Sequence, residues 1–314
     1  MRFEFIKCHG SGNDFPLIDA RGLTLPDAQW AAIARALADR AGPVGGDGLL
    51  LLVDGRDEAP FGQRMFNPDG SEAETCLNGL RCVARAGFDA TGLDAALVGL
   101  PKSDAWAARV ADLAPGVATI ATRVTSVSAN ARDVGLTVGD RFVDAPIPGL
   151  PSERRFTALT MPNPHLIAFV DVVDEAELVA LGDWCESAPP LIPGRANVSF
   201  VAMVDDGSLF VRTYERGVGL TDSCGSAMAA SVHAAALTGR IGWDVEVVIR
   251  NRGGLVRGRT KVDPSVEIAG NATFEYRAAV DFAPDTGQLG AVTLIEDRAV
   301  ERDAWRSLLT ASRN

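Results

Sequence analysis

The chain alternates between segments with the hydrophobic pattern of strands and segments with the pattern of helices. Short apolar runs bounded by glycine and polar residues predict strands, among them "FEFIKCHG", "FPLID" and "GLLLLVD". The segment "LPDAQWAAIARALADRAG" predicts a helix, because Trp30, Ile33 and Leu37 follow helical spacing. Pro26 suits the first turn of that helix, and Gly42 ends it. The alternation indicates an α/β fold.

Two further predicted helices each begin at a cysteine. The segment "CLNGLRCVARAGFDATG" starts at Cys76, the segment "CGSAMAASVHAAALTGRIG" starts at Cys224, and both end near a glycine. The second is apolar on nearly every side, which is typical of a helix buried at the centre of a domain. Both helices are therefore candidates for the cores of two separate domains.

An internal repeat relates the two cysteine helices. Two polar landmarks precede each cysteine in the same order and at nearly the same spacing: Asn13 and Asp47 lie 63 and 29 residues before Cys76, and Asn163 and Asn197 lie 61 and 27 residues before Cys224. The repeat predicts two pseudo-symmetric α/β halves. In each half, strands surround a central helix that starts with a cysteine.

The start of a helix is a position that can make a cysteine reactive. The first turn has free N–H groups and the positive end of the helix dipole, which favour a thiolate and can hold a carboxylate. Two such helix ends facing each other across a domain cleft would place one thiol on each face of the carbon next to that carboxylate. This arrangement favours deprotonation on one face and reprotonation on the other, with no metal or organic cofactor.

The alternative for a single cysteine is a small buried hydrophobic residue. The paired placement of Cys76 and Cys224 favours catalysis, whereas Cys8, Cys82 and Cys185 are predicted to be structural. A metal site is disfavoured, because the C-x5-C spacing is not that of metal ligands and the chain has only three histidines.

Composition narrows the class of protein. A chain of 314 residues with 47% hydrophobic residues is long enough for two domains, and its net charge of -11 and pI of about 4.8 argue against binding to nucleic acid or an anionic membrane. The first residues lack a secretory apolar region, and the run "GLLLLV" is far too short to span a membrane. Five cysteines in such a chain do not form a disulfide framework. We expect a soluble, cytoplasmic protein.

Several longer motifs carry a resemblance to a known family. The segments "KCHGSGNDF", "GGDGLLLL", "FNPDGSEAETCLNGLRC", "NPH", "NVSFV" and "VRTYERGVGLTDSCGS" follow one another in the order found in that family. In these segments the chain resembles the diaminopimelate epimerases, isomerases of lysine and cell-wall biosynthesis that use two thiols and no cofactor. The resemblance implies interconversion of LL- and meso-diaminopimelate, a small amino-acid substrate.

The resemblance also implies roles for individual residues. Cys76 and Cys224 would be the acid/base pair, the backbone amides of Leu77, Asn78, Gly225 and Ser226 would hold the reacting carboxylate, and Asn13 would face the reacting amino group. The distal end of the substrate would be bound by Asn67, Asn163, Asn197 and Arg216. Glu215 would contact the distal amine near the second thiol, and Asp69 and His165 would tune the first thiol.

For the fold, we expect two pseudo-symmetric domains, each a mixed β-sheet or barrel around its cysteine helix, with the active site in the interdomain cleft. Residues 1–145 are assigned to the N-terminal half and residues 146–272 to the C-terminal half. Residues 273–314 are expected to return to the first half, and their last segment, "DRAVERDAWRSLLTASRN", predicts an amphipathic helix. A homodimer is one assembly open to such a chain, although the sequence does not determine the oligomeric state.

Two positions depart from the family pattern. Leu77 stands where the family has glycine, and a left-handed backbone there would cost roughly 1–2 kcal/mol. Leu220 stands where the family has glutamate. These departures leave open a racemase or epimerase of another amino acid, and a non-catalytic amino-acid-binding protein. A thiol oxidoreductase is disfavoured because the chain has no C-x-x-C motif.

Overall fold

The computed structural model describes residues 1–73, 76–102, 104–161 and 163–311. It contains strands and helices in the order β1 (Arg2–Gly10), β2 (Asn13–Asp19), α1 (Asp27–Ala38), β3 (Leu49–Arg56), β4 (Ala59–Phe66), β5 (Glu72–Ala73), α2 (Leu77–Thr91), β6 (Ala95–Gly99), β7 (Asp104–Val110), β8 (Thr119–Val124), α3 (Ala131–Val134), β9 (Thr157–Thr160), β10 (Pro164–Phe169), α4 (Glu175–Glu186), β11 (Asn197–Met203), β12 (Leu209–Glu215), β13 (Gly219–Thr221), α5 (Gly225–Leu237), β14 (Val247–Asn251), β15 (Gly254–Thr260), β16 (Val266–Asn271), β17 (Thr273–Ala283), β18 (Gln288–Leu289), β19 (Thr293–Asp297) and α6 (Ala299–Ala311). The mixed α/β class predicted from the sequence is confirmed.

The chain divides into two compact units. The first comprises Met1–Thr122 and Ala269–Asn314, and the second comprises Arg123–Ile268. No helix within the described ranges is long and apolar enough to cross a membrane.

The first unit is built on a mixed sheet. Strand β1 pairs antiparallel with β17 and β2, β2 runs parallel to β3, and β3 is antiparallel to β4. Beyond β4, the sheet continues through a parallel β6 and an antiparallel β7, while β5 also pairs with β4. The run Leu49–Leu52 in β3 is buried at every position, as expected of a strand covered on both faces.

Helix α2 is the central helix of the first unit. It contacts β1, β2, β3, β4 and β7, and it is buried from Leu77 to Phe88. Gly87 allows the close approach to the sheet, because a Cβ at this position would lie 2.4 Å from the Phe61 ring. The helix ends at Gly92, which has a left-handed backbone and a φ of 75°.

The second unit repeats the strand order of the first. Strand β10 pairs antiparallel with β9 and parallel with β11, and β11 is antiparallel to β12. Strand β12 then pairs with the short β13 and runs parallel to β14, which is antiparallel to β15. Each pairing has its counterpart in the β1–β7 series, so the internal repeat predicted from the sequence corresponds to a repeated topology.

Helix α5 is the counterpart of α2. It is rich in alanine, buried around its whole circumference, and in contact with β9, β10, β11, β12, β14 and β15. In both units, then, strands surround a helix that begins directly after a cysteine. This arrangement agrees with the predicted helix positions.

The structural division between the units differs from the predicted boundary at residue 145. Residues of α3 and Phe142 lie in the core of the second unit, together with Phe156, Leu166 and Leu178. These contacts assign residues 123–145 to the second unit. The partners lie later in the chain, so the local pattern of residues 123–145 did not reveal them.

The predicted amphipathic C-terminal helix is confirmed as α6, which packs on the first unit. Trp305 is its buried residue, and its ring centroid lies 5.6 Å from that of His9. The Glu301 carboxylate accepts hydrogen bonds from Arg85 of α2 at 2.5 and 2.9 Å and from the Phe274 amide at 3.2 Å. Helix α6 is therefore joined to α2 by an ion pair between Glu301 and Arg85.

Candidate active site

Cys76 lies at the N-terminal end of α2, in the position that caps the helix. Its backbone is extended, with φ -140° and ψ 103°, and its Sγ accepts a hydrogen bond from the Gly79 amide at 3.3 Å. Its carbonyl oxygen accepts the Leu80 amide at 2.8 Å. The sulfur thus lies at the first turn of the helix, where a thiolate is favoured.

Leu77 and Asn78 are the first two residues of α2, and both side chains are buried. The strain considered for Leu77 required a left-handed backbone, but Leu77 is helical and is not among the residues with positive φ. The leucine is therefore accommodated without that cost. The leucine side chain is 7% exposed.

Asn13 lies beside Cys76, at the start of β2. The Cys76 Sγ lies 3.7 Å from Asn13 Oδ1, and Asn13 Nδ2 donates to Asp47 Oδ2 at 2.5 Å. The same Asp47 oxygen accepts the Asp14 amide at 3.1 Å. Asp47 was a landmark of the repeat but was assigned no role, so this support for Asn13 was missed in the sequence. The position of Asp47 in the repeat, equivalent to that of Asn197, is the sequence signal that could have revealed this role.

Asn67 and Asp69 belong to the turn between β4 and β5. Asn67 Nδ2 donates to Ser71 Oγ at 2.9 Å, and Asp69 Oδ1 accepts the Ser71 amide and hydroxyl at 2.8 and 2.6 Å. The hydrogen bonds from Ser71 hold the pKa of the Asp69 carboxyl below its usual value. These contacts give Asp69 a role in the turn, and its predicted effect on the first thiol stays a prediction.

Cys224 occupies the corresponding position before α5, with an extended backbone of φ -121° and ψ 111°, but unlike Cys76 its side chain makes no capping hydrogen bond to the helix. The side chain is 7% exposed, and its Sγ lies 3.4 Å from Ser226 Oγ. Burial and then the negative charge of Glu215 raise the pKa of the Cys224 thiol well above its usual range. At neutral pH, Cys224 is therefore a protonated thiol.

Glu215 is the last residue of β12 and lies near this second thiol. Burial raises the pKa of its carboxyl group, while a hydrogen bond from Thr221 Oγ1 to Glu215 Oε1 at 2.7 Å acts in the opposite direction. Thr221 lies at the end of β13 in "LTDSC", and its contact with Glu215 was missed in the sequence.

Four further predicted site residues of the second unit lie in a row, each within hydrogen-bond distance of the next. His165 Nε2 lies 3.0 Å from Asn163 Oδ1 and 3.5 Å from Asn197 Nδ2, and Asn197 Oδ1 accepts the Arg216 amide at 2.9 Å. His165 and Asn197 are direct neighbours in the parallel pair β10–β11. Burial and then the positive charge of Arg216 lower the pKa of His165 to about 3, so the imidazole is neutral.

The Arg216 side chain is exposed, and one of its terminal nitrogens donates to the Gly194 carbonyl at 3.1 Å. Among the described residues, no carboxylate forms an ion pair with it. A guanidinium in this situation is available to bind an anion from solution.

The predicted site residues fall into two sets, one in each unit. The first unit contains Asn13, Asn67, Asp69, Cys76, Leu77 and Asn78, and the second contains Asn163, His165, Asn197, Glu215, Arg216, Cys224, Gly225 and Ser226. In each unit, one of the two predicted thiols lies at the N-terminal end of a buried helix. Within the described ranges, no group of three or more His, Cys, Asp or Glu side chains could hold a metal ion.

Comparison with known proteins identifies the family. A sequence profile described as diaminopimelate epimerase matches residues 5–103 and 157–274. The diaminopimelate epimerase of Clostridium acetobutylicum is 37% identical over 288 residues, which cover 90% of this chain and 86% of the relative. That of Listeria monocytogenes is 36% identical over 295 residues, which cover 90% of each chain. The chain belongs to the diaminopimelate epimerase family.

The fold of this diaminopimelate epimerase family member is also similar to that of solved structures with much lower sequence identity. A phenazine biosynthesis protein of the PhzF family from Bacillus anthracis matches with a TM-score of 0.62 and 15% identity, covering 90% of this chain and 100% of that one. A hydroxyproline epimerase from Agrobacterium vitis matches with a TM-score of 0.60 and 13% identity, covering 98% of each chain. At such identities the likeness concerns the fold alone.

The three histidines of this family member make its stability sensitive to acid. Burial lowers the pKa of His9 to about 4, of His165 to about 3 and of His233 to about 4, whereas unfolded histidines titrate near 6.5. Below this value the unfolded chain binds more protons, so stability is full above it and falls as the pH decreases. We expect a loss of about 1 kcal/mol per histidine between about pH 6.5 and 5.5, measured by urea unfolding.

A matched variant isolates one histidine. His233 lies outside the predicted site, with Nδ1 2.7 Å from Thr260 Oγ1, and His233→Gln keeps a polar group there. The variant should show a shallower dependence of unfolding free energy on pH than the unmodified protein. Parallel curves for the two proteins would show that His233 titrates normally in the folded state.

Proposed function

We propose that this protein is a diaminopimelate epimerase, an isomerase that interconverts LL- and meso-2,6-diaminopimelate. One observation carries the proposal: Cys76 and Cys224 occupy equivalent positions at the N-terminal ends of the central helices of a repeated topology. Membership of the family supports the choice of substrate. The proposed reaction requires neither a metal nor an organic cofactor.

In the proposed mechanism, the two thiols exchange one proton each with the substrate. For one stereoisomer, the Cys76 thiolate accepts the α-proton from one face of the α-carbon. Cys224 delivers its thiol proton to the opposite face, so Cys76 ends as the thiol and Cys224 as the thiolate. The other stereoisomer reacts by the same steps in reverse. The proposal requires both sulfurs to reach opposite faces of a single α-carbon.

The intermediate of this reaction carries negative charge on the carboxylate next to the reacting carbon. The amides of Leu77 and Asn78 in α2, and of Gly225 and Ser226 in α5, are the proposed donors to this group. Helix-end amides are fixed before the reaction, so they stabilise the developing charge without reorganising. Asn13 is proposed to contact the reacting amino group beside Cys76.

The distal amino-acid end of the substrate is assigned to the polar residues around Arg216. Arg216 is proposed to bind the distal carboxylate, with Asn67, Asn163 and Asn197 as further contacts. Glu215 is proposed to contact the distal amine. His165 and Asp69 are proposed to influence the first thiol. Leu220, which is 37% exposed, replaces the glutamate of the family pattern without removing any of these groups.

Incubation with LL-diaminopimelate in deuterated water under reducing conditions tests the proposal. We expect conversion to the meso isomer with deuterium gained at one α-carbon, because the proton delivered by the second thiol comes from solvent. Chiral chromatography with mass spectrometry measures both events. The absence of exchange with diaminopimelate, together with exchange in another amino acid, would assign the protein to a different racemase or epimerase activity.

A further inference from the structure

Arg81 is a fully buried arginine on α2, five residues after Cys76. Its side chain is 0% exposed, and no described carboxylate forms an ion pair with it. Burying a cation without a counter-ion is costly, and it is rarely retained without a compensating role. The other buried arginine of the same helix, Arg85, does have a carboxylate partner in Glu301.

The guanidinium of Arg81 connects the start of α2 to the β1–β2 turn. One terminal nitrogen donates to Asn78 Oδ1 at 3.0 Å and to Ser11 Oγ at 3.1 Å, and Nε donates to the Asn271 carbonyl at 3.1 Å. The second terminal nitrogen is buried and has no hydrogen-bond partner among the described residues. Gly10 leaves room for this arrangement, because a Cβ there would lie 2.9 Å from the guanidinium.

Arg81 is charged at neutral pH despite its burial. Burial lowers the pKa of Arg81 to about 10, and negative charge on Cys82 or Cys76 acts to raise it. Electrostatic coupling is reciprocal: if a Cys76 thiolate favours the charged arginine, the charged arginine favours the Cys76 thiolate to the same extent.

The second helix has no equivalent cation. At the same distance after Cys224, five residues on, α5 carries Ala229, which is fully buried. The charged group near Cys224 is instead Glu215, whose negative charge favours the protonated thiol. The two helix starts are thus alike in backbone geometry, but only α2 carries a buried arginine five residues after its cysteine.

We propose that Arg81 is a positioning residue whose buried charge keeps Cys76 in its thiolate form and whose guanidinium fixes Asn78 and Ser11. This inference rests on the proposed function in that it assigns Cys76 the role of a base. Together with the protonated Cys224 of the second unit, this would provide one thiolate and one thiol before the substrate binds. A two-base inversion needs this combination of protonation states.

Other titratable groups face the same region of the first unit. Cys82 lies on α2 and is fully buried, His9 of β1 is close enough to Arg81 for their charges to interact, and Asp47 reaches Cys76 through Asn13. Burial lowers the pKa of His9 to about 4, so this residue carries no charge near neutral pH. Above about pH 6, a change in the Cys76 titration on removing Arg81 therefore reports on Arg81 itself.

The test measures the pH dependence of iodoacetamide alkylation at Cys76, with each cysteine quantified by peptide mass spectrometry. In the unmodified protein, the midpoint should lie below the ordinary thiol pKa of about 8.5. The neutral variants Arg81→Met and Arg81→Gln should raise the midpoint by about one pH unit or more. Arg81→Lys retains the charge and should keep the midpoint near that of the unmodified protein.

Arg85→Met is the matched control on the same helix. Loss of its ion pair with Glu301 should lower thermal stability but leave the Cys76 midpoint unchanged. A folded Arg81→Met or Arg81→Gln protein with an unchanged midpoint would overturn the inference. If neither variant folds, an unmodified midpoint at or above the ordinary value of about 8.5 would overturn it. Alkylation needs no turnover, so this result is independent of whether diaminopimelate is the substrate.

Discussion

Replacing Cys76 or Cys224 by serine is expected to lower the rate of diaminopimelate inversion about 10²- to 10⁴-fold. A hydroxyl group is much less acidic than a thiol, so serine neither accepts the α-proton readily nor stays ionised at a helix end. Each single substitution should suffice, because inversion requires proton transfer on both faces. The rate is measured from the appearance of the meso isomer from LL-diaminopimelate in deuterated water.

Cys82→Ser is the matched control for these variants. Cys82 lies on the same helix as Cys76 but is fully buried inside it, one and a half turns from the helix end. We expect inversion to stay near that of the unmodified protein, with a stability loss of roughly 1 kcal/mol from the buried hydroxyl. An equal loss of activity in a folded Cys82→Ser protein would contradict the assignment of Cys76 as the reacting thiol.

Replacing Arg216 by methionine is expected to lower kcat/KM for diaminopimelate about 10- to 100-fold. This factor corresponds to the free energy that hydrogen bonds to a charged group contribute to binding. The exposed guanidinium is the proposed partner of the distal carboxylate, so most of the loss should appear in KM. Steady-state kinetics with each stereoisomer measure the two parameters separately.

Two comparisons test whether the Arg216 effect is specific. Arg155→Met removes another exposed arginine of the second unit, whose ion pair with Asp144 is long at 3.7 Å, and it should leave the kinetics unchanged. Inhibition by lysine, which lacks the distal carboxylate, should be nearly the same in Arg216→Met and in the unmodified protein. A large loss of lysine binding in Arg216→Met would indicate a general structural role instead of carboxylate recognition.

The sequence alone predicted those features that depend on local patterns. Helices α2 and α5 were placed correctly because a cysteine cap, helical periodicity and a terminal glycine all lie within twenty residues or so of one another. The repeat was detectable because its landmarks keep a nearly constant spacing before Cys76 and Cys224. Family motifs supplied the predicted site residues, including Asn67 and Asn163, which would otherwise have been read as turn residues.

Local patterns failed where contacts join distant parts of the chain. Residues 123–145 were assigned to the first half, whereas Phe142 packs with Phe156 and Leu166 of the second unit. Leu77 raised the question of backbone strain, and the helical conformation at that position answers it. Asp47 had no predicted role, whereas in the structure it accepts a hydrogen bond from Asn13, the neighbour of Cys76.

What the sequence by itself determined is the placement of Cys76 and Cys224 at helix starts, because capping and periodicity are properties of neighbouring residues. What only the tertiary structure decided is the electrostatic character of each thiol. Arg81 bonds to Asn271, 190 residues away, and the Glu215 carboxyl group is buried near Cys224. Burial and charge at a thiol depend on which distant segments pack against it, so two similar helix starts acquire different environments only in the folded chain.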